Sequence, residues 1–408
     1  MKSIAKIALI RGGASVLRLA IIAGLPLFFS ELLFQDLIWI ITAIFIFSSF
    51  SSFEVYTYTN RRFLKKSNLT REYDCLLVSS VLVPIIGGVF ISPFFISFAY
   101  YSDFSASFFT LISIIVLYIL ESIQNEIMRV FVVIDKQYQA SLIYLSRQVI
   151  LLITLIAVYF FDHVYQSDKE FYAFITINLF LNAGLITACL YKLGEKSAIN
   201  LKYTAIYLKE GLSEIKNYLS IGVLSKLQIN GDRLLASIFL DGELFAVYAY
   251  FISLLNGAAS FIEPLLNQII MPRVIGSDDM KEKTEYLWRG LKWLFVYLML
   301  SLLLIELFLA FSSKWLGHNA KDIYFVVATF YFTLCAANYS KFVSYCLGED
   351  RALLHASFYS LVAVITGIII LFYFEIGTLF NLFCVLTIST IIVLIKLTWN
   401  IRHVEKYI

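Results

Sequence analysis

The sequence predicts an all-α, polytopic membrane protein with about twelve transmembrane helices in two six-helix lobes around a central cavity. Three observations support this fold class. The 408 residues are 60% hydrophobic and only 15% charged, whereas soluble domains carry about 25% charged residues. Apolar segments of roughly 20 residues, each long enough to cross a hydrocarbon layer as a helix, follow one another along the whole chain. The positive charges between these segments alternate strongly in density.

The spans and their orientation follow from hydropathy and charge. The predicted spans are 7–29, 34–59, 75–101, 106–134, 140–161, 171–191, 217–240, 244–272, 289–311, 323–347, 352–374 and 376–399. With the N-terminus inside, 21 of the 32 Lys and Arg residues fall in cytoplasmic segments and 3 in external ones. This asymmetry predicts that both termini are cytoplasmic. The first apolar segment contains Arg11 and Arg18, so we interpret it as a span rather than as a cleavable signal peptide.

A long cytoplasmic segment divides the chain into two groups of six spans. We therefore predict an N-terminal lobe over 1–191, a linker over 192–216 and a C-terminal lobe over 217–408. Apolar residues of the linker repeat at spacings of four and three, which predicts an amphipathic helix lying on the inner leaflet. These residues are Leu201, Ala205, Leu208, Leu212 and Ile215.

Basic residues occur within the predicted spans or close to their ends, where a charge at mid-membrane costs at least about 2.5–3.5 kcal/mol. They are Arg11, Arg18, Arg129, Arg147, Lys226, Arg233, Lys341 and Lys396. Some of these side chains, Arg147 and Lys396 among them, are equally well explained by snorkelling to headgroups. Arg11 and Arg18 share one face of the first span. Lys226, Asn230 and Arg233 share one face of the seventh span.

Polar stripes in both halves serve either to join helices through hydrogen bonds or to line a net basic cavity, and their distribution favours the cavity. The candidate substrate-binding residues are Arg11, Arg18, Arg129, Lys226, Asn230, Arg233, Asn256 and Lys341. Carboxylates in or beside the spans are candidates for coupling transport to an ion gradient, with static ion pairing as the alternative. These coupling candidates are Glu54, Glu121, Asp232 and Glu263.

Motifs for other chemistry are missing from the sequence. The four His residues show no metal-ligand spacing, and neither a nucleotide-binding loop nor a nucleophile elbow occurs. We therefore expect no metal, no cofactor, no enzymatic activity and no nucleic-acid partner.

One run of residues carries a resemblance to a known family. Residues 230–235 (NGDRLL) and 240–248 (LDGELFAVY) resemble the polysaccharide-transporter branch of the multidrug/oligosaccharidyl-lipid/polysaccharide exporter superfamily. Members of that branch often have Asp-Arg near the outer end of helix seven, then a short turn and Gly-x-Tyr, although Ala246 here occupies the position where glycine is common. Residues 314–318 (KWLGH) resemble the family's external loop before helix ten. Size and short loops are similar to those of Wzx-type O-antigen flippases.

The resemblance implies a flippase that moves undecaprenyl-diphosphate-linked oligosaccharide from the inner to the outer leaflet of the bacterial inner membrane by alternating access. Basic spans agree with this cargo, because a diphosphate needs Arg or Lys to enter a low-dielectric cavity. Further candidate partners are membrane lipids, a proton or sodium ion, and a glycan polymerase with its chain-length regulator. Two alternatives stay open. The first is a multidrug exporter of the same fold, which the basic excess disfavours but the acidic residues in the spans keep open. The second is a membrane glycan polymerase, which the short external loops disfavour.

Overall fold

A computed structural model describes most of the chain. The described residues are 2–52, 55–65, 69–101, 107–134, 136–165, 169–194, 201–210, 216, 223–224, 226–227, 230–236, 239–240, 242–259, 266, 270, 273–274, 277, 279–312, 320–347, 349–373 and 379–407. Helices account for nearly all of these residues, and no strand occurs among them. The all-α prediction is confirmed.

The first compact unit comprises Met1–Val223. Its helices are α1 (Lys2–Phe28), α2 (Glu31–Ser51), α3 (Val55–Lys65), α4 (Leu69–Tyr101), α5 (Phe108–Val133), α6 (Gln137–Tyr165), α7 (Lys169–Gly194) and α8 (Leu201–Glu210). α5 is the central helix of this unit, because it packs against α2, α3, α4, α6 and α7. α1 packs mainly along α6. Side chains from α1, α5 and α6 therefore meet inside one unit.

The predicted span 34–59 is divided into α2 and α3. Serine hydroxyls at the end of α2 donate to backbone carbonyls three residues earlier, with Ser48 bonding Phe45 O at 3.1 Å and Ser49 bonding Ile46 O at 2.7 Å. Such bonds compete with the helical ladder and weaken it. α2 ends at Ser51, and the polar α3 begins at Val55 as a separate helix.

α4 contains both Pro84 and Pro93. Proline has no backbone N–H, so Pro93 leaves the carbonyl of Val89 without its usual helical donor. The hydroxyl of Ser92 donates to Val89 O at 2.7 Å and replaces that bond. α4 thus continues past Pro93 with the freed carbonyl satisfied, as an apolar environment requires.

α4 and α5 approach each other most closely at Gly88. A Cβ at this position would overlap the side chain of Ile119, and the Tyr118 hydroxyl donates to Gly88 O at 2.8 Å. We expect Gly88→Ala to destabilise the protein by about 1–3 kcal/mol, because the added methyl forces the helices apart. The matched control is Gly184→Ala, where nothing lies within 4 Å. Thermal unfolding of the purified variants in detergent measures both, and equal melting temperatures would contradict the prediction.

α8 packs against α4 within the first unit. It corresponds to the predicted amphipathic linker helix. Thr204 and Tyr207 are buried, and the Tyr207 ring lies 5.6 Å from that of Tyr58 in α3. Ala205, a member of the predicted apolar stripe, faces outward. The last part of that stripe, 211–215, lies outside the described residues.

The second compact unit comprises Leu224–Ile408. Its helices are α9 (Gly242–Ala259), α10 (Met280–Ser312), α11 (Ala320–Cys346), α12 (Asp350–Tyr373) and α13 (Leu379–Tyr407), and residues 230–236 are also helical. α11 and α12 pack against α13, and α9 packs against α10 and α11. α10 begins well before the predicted span start at 289, because the charged segment preceding that span continues the same helix.

Several helices have the length and composition of membrane spans. Among the described residues, six helices are long and apolar enough: Leu33–Ser51, Tyr73–Tyr100, Phe108–Val133, Gln137–Phe160, Ala173–Gly194 and Arg351–Leu371. Two shorter apolar helices are Leu244–Asn256 and Asn381–Leu397. A multi-pass membrane protein follows from this set, as predicted.

Candidate functional site

An ion pair joins α5 and α6 inside the first unit. Arg147 of α6 pairs with the carboxylate of Glu121 in α5, and Arg147 Nη1 donates to Asn125 Oδ1 at 2.7 Å. Glu121 and Asn125 are four residues apart, so both project from one face of α5. The Arg147 and Glu121 side chains are only 12% and 22% exposed. This pair is therefore largely shielded from the surroundings.

Arg18 of α1 lies near the same pair. Its positive charge opposes that of Arg147, and its guanidinium carbon lies 5.7 Å from the centre of the Phe45 ring. Within the described part of the chain, no carboxylate forms an ion pair with Arg18. We call Arg18, Glu121, Asn125 and Arg147 the arginine site. It holds two positive charges and one negative charge, so it carries a net positive charge.

Arg11 extends the basic face of α1 along α6. Arg11 Nε donates to the hydroxyl of Ser141 at 3.1 Å, and Ser141 is fully buried. Arg11 and Arg18 are about two helical turns apart, roughly 10 Å along the axis. The shared face predicted from their spacing thus approaches α6 at two positions, Arg11 at Ser141 and Arg18 at Arg147.

Arg129, another predicted binding residue, belongs to a different group. It pairs with Glu126 of its own helix, and its guanidinium carbon lies 3.6 Å from the centre of the Tyr56 ring. These side chains line a small pocket that also contains Asn60. The buried Oδ1 of Asn60 accepts no hydrogen bond from the described residues. A cavity of about 10 Å³ there is large enough for roughly one water. Glu126 neutralises Arg129 locally, which distinguishes this group from the arginine site.

A buried chain of amides links α5 to α7. Gln124 Nε2 donates to Asn182 Oδ1 at 2.7 Å, and Asn182 Nδ2 donates to Asn178 O at 2.8 Å. The sequence analysis missed this contact, although the four-residue spacing of Asn178 and Asn182 in an apolar span was a usable signal. The amides fix α7 against the face of α5 that carries Gln124.

In the second unit, Asn230, Asp232 and Arg233 are all buried, at 2%, 1% and 3% exposure. The hydroxyl of Tyr248 in α9 donates to Asp232 Oδ2. Arg233 lies close enough to Asp232 for a favourable electrostatic interaction. Asp232 Oδ1 is buried and accepts no hydrogen bond from the described residues. Asp232 thus offsets the charge of Arg233, which leaves Arg233 less available to an anion than Arg18.

The remaining binding candidates of the second unit are Lys226, Asn256 and Lys341. Tyr331 of α11 donates to Leu255 O at 3.0 Å, and its hydroxyl lies 3.5 Å from Asn256 Oδ1. Lys341 is buried at 9% exposure, and Lys226 is half-buried. Sequence reasoning had not selected Tyr331, because 26 tyrosines offer no way to single one out.

Two coupling candidates, Glu54 and Glu263, lie outside the described residues. Glu121 and Asp232 are described, and each has a partner of its own. No group of three or more His, Cys, Asp or Glu side chains in the described ranges is placed to hold a metal ion.

Comparison with known sequences and solved structures shows the fold. No family model matches the sequence, and no curated protein matches it. The chain is similar to a multidrug resistance MATE family transporter of the MOP superfamily in an inward-facing conformation, with 12% identity, 98% of this chain and 99% of that chain covered, and a TM-score of 0.63. It is also similar to the eukaryotic MATE transporter AtDTX14, with 15% identity, 97% and 93% coverage, and a TM-score of 0.60.

A third similar structure is a MOP superfamily transporter from Pyrococcus furiosus, for which a reverse polarity of the binding pocket suggests a different function. Identity is 12%, coverage is 98% of this chain and 93% of that chain, and the TM-score is 0.55. The chain therefore shares the fold of these transporters.

Proposed function

We propose that this protein is a membrane transporter of anionic lipid-linked oligosaccharide, moving undecaprenyl-diphosphate-linked repeat units from the inner to the outer leaflet. One observation carries the proposal. The arginine site has an excess positive charge within the predicted spans, because Arg18 of α1 lies near Arg147 of α6 and one carboxylate of the site, Glu121, pairs with Arg147. A charge in such a position is costly unless a partner offsets it. An anionic cargo supplies that partner during transport.

The chemistry of the arginine site suits a diphosphate. Guanidinium groups bind phosphate oxygens through paired, charge-assisted hydrogen bonds, which are about twice as strong as neutral ones. Asn125 holds Arg147 through Nη1, so the guanidinium keeps its orientation when its other partner changes. A phosphate entering between Arg18 and Arg147 relieves their mutual repulsion.

Glu121 acts in this proposal as an internal substitute for the cargo. It pairs with Arg147 in the structure, and an arriving phosphate competes for the same guanidinium. The displaced carboxylate then takes up a proton or a sodium ion, which couples cargo binding to an ion gradient. Return of Glu121 to Arg147 after release of the cargo resets the site.

Multidrug export is the second candidate function. The inward-facing MATE structure is described as that of a multidrug resistance transporter, and the buried carboxylates of Glu126 and Asp232 are suited to cationic compounds. In this chain, however, Glu126 pairs with Arg129, and Arg233 lies beside Asp232. The P. furiosus transporter, with its pocket of reverse polarity, is a precedent for a different cargo on this fold.

Deletion of the gene in its natural host tests the proposal. We expect undecaprenyl-diphosphate-linked repeat units to accumulate on the inner leaflet and surface glycan to disappear, as measured by mass spectrometry and glycan staining. Purified protein in proteoliposomes should also translocate a fluorescent diphosphate-linked oligosaccharide but not ethidium. The opposite preference, with ethidium export and unchanged lipid-linked intermediates, would establish the multidrug exporter instead.

A further inference from the structure

The N-terminal part of α10 extends beyond the hydrocarbon layer. α10 has 33 residues, so its length is about 50 Å, compared with about 30 Å for the hydrocarbon core. All its charged residues apart from Glu306 fall between Lys281 and Lys292, and 293–305 are uncharged. Counted back from Ser312, Trp293 lies roughly 29 Å away and Trp288 roughly 36 Å away. With Ser312 at the outer end of the predicted ninth span, we expect Trp293 at the inner hydrocarbon boundary and Trp288 among the headgroups.

Contacts on the inner side of α10 set its rotation. The Tyr339 hydroxyl of α11 donates to Leu287 O. A Cβ at Gly290 would lie 2.9 Å from both the Tyr339 hydroxyl and Ile270 Cδ1, so the helix is pressed against its unit there. Because Leu287 and Gly290 face inward, the residues around them on the opposite side face outward. Trp288 and Trp293 are 59% and 57% exposed.

Three basic residues accompany these tryptophans. The guanidinium carbons of Arg273 and Arg289 lie 5.4 Å and 5.8 Å from the centre of the Tyr286 ring, so both arginines lie beside the same residue. Lys292 is exposed one helical turn further on. We call Arg273, Arg289 and Lys292 the α10 basic patch.

Acidic residues offset only part of this charge. Arg289 pairs with Glu285 at 2.5 Å, and Glu282 accepts hydrogen bonds from Ser277 and Tyr286. Within the described part of the chain, no carboxylate forms an ion pair with Arg273 or Lys292. An exposed surface with excess positive charge therefore lies at headgroup depth.

We propose that the α10 basic patch, flanked by Trp288 and Trp293, binds the phosphate groups of anionic phospholipid headgroups. Exposed tryptophans prefer the membrane interface, and cations next to an anionic leaflet each contribute favourable binding energy. The basic segments define this face as cytoplasmic under the predicted topology, which makes the inner leaflet the source of the lipid. The lipid fixes the depth and rotation of α10 and does so whatever cargo the protein carries.

Quenching of tryptophan fluorescence tests this lipid site. The full-length protein is reconstituted in vesicles containing brominated phosphatidylglycerol in unbrominated phosphatidylcholine, or the reverse, and the relative association of the two lipids is measured. Wild-type protein should prefer phosphatidylglycerol. Replacing any one patch cation by glutamine should reduce that preference by about fivefold. The variant Trp288→Phe/Trp293→Phe identifies the part of the signal that comes from the two patch tryptophans.

The matched control is Lys192→Gln/Lys209→Gln, which removes two exposed cations of the first unit and should leave the preference at α10 unchanged. A triple variant carries glutamine at all three patch positions, Arg273, Arg289 and Lys292. If it does not fold, the lipid preference is measured on the single variants Arg289→Gln and Lys292→Gln. Equal association of both lipids with wild-type protein would overturn the proposal. So would a preference that survives removal of all three patch cations.

Discussion

Replacement of Arg18 by alanine is expected to reduce transport of the lipid-linked oligosaccharide by about tenfold or more. A hydrogen bond to a charged group contributes about 1.5–3 kcal/mol, and Arg18 is the member of the arginine site with no carboxylate ion pair among the described residues. Arg18→Lys should retain part of the activity, because it keeps the charge but loses the paired geometry. Initial rates in proteoliposomes, corrected for protein abundance, provide the measurement.

Lys209→Ala is the control for Arg18→Ala, since Lys209 is an exposed cation of α8 in the same unit. Its transport rate should equal that of the wild type. Because no carboxylate among the described residues pairs with Arg18, Arg18→Ala should also unfold at or above the wild-type temperature. Full transport by Arg18→Ala would remove Arg18 from the binding site.

The largest loss of stability is expected from Arg147→Gln. This change leaves the Glu121 carboxylate without its partner inside the spans, and breaking a buried pair costs about 3–5 kcal/mol. The double variant Glu121→Gln/Arg147→Gln should recover most of the stability, because neither charge remains. It should not recover transport, because the guanidinium that binds phosphate is gone. Thermal unfolding and transport rates of the three proteins separate these two effects.

Glu121→Gln alone provides the complementary test. It should bind a diphosphate lipid more tightly, since no carboxylate competes for Arg147, and it should turn over more slowly because nothing displaces the cargo. Dependence of the rate on an imposed proton or sodium gradient should also disappear. If Glu121→Gln transports at the wild-type rate with unchanged gradient dependence, the ion pair is purely structural.

Hydropathy was sufficient to predict the fold class, because backbone groups in a hydrocarbon layer must be satisfied within helices. The break between α2 and α3 was not predictable at that level, since hydropathy does not register the serine hydroxyls that bond the backbone near the end of α2. A serine or threonine hydroxyl that bonds the backbone of its own helix is satisfied there, so its presence in a span does not indicate a polar cavity. Thr154, for example, donates to Ile150 O within its own helix at 2.8 Å.

Part of the candidate site was visible in the sequence. The seven-residue spacing of Arg11 and Arg18 predicts their shared face, and that face meets α6 in the structure. Sequence alone does not reveal which helices become neighbours, so the pairing of Glu121 with Arg147 was missed. From the sequence alone, Arg147 was equally well explained by snorkelling to headgroups.

α5 carries Glu121, Gln124 and Glu126 within two turns, which affects how the chain enters the membrane during synthesis. Insertion of this helix alone costs at least about 2.5 kcal/mol for each charge near its centre. Two of the partners that offset this cost, Arg147 and Asn182, belong to α6 and α7, which leave the ribosome later. α5 is therefore expected to wait beside the translocon until α6 and α7 have emerged, so that these helices enter the bilayer as one group.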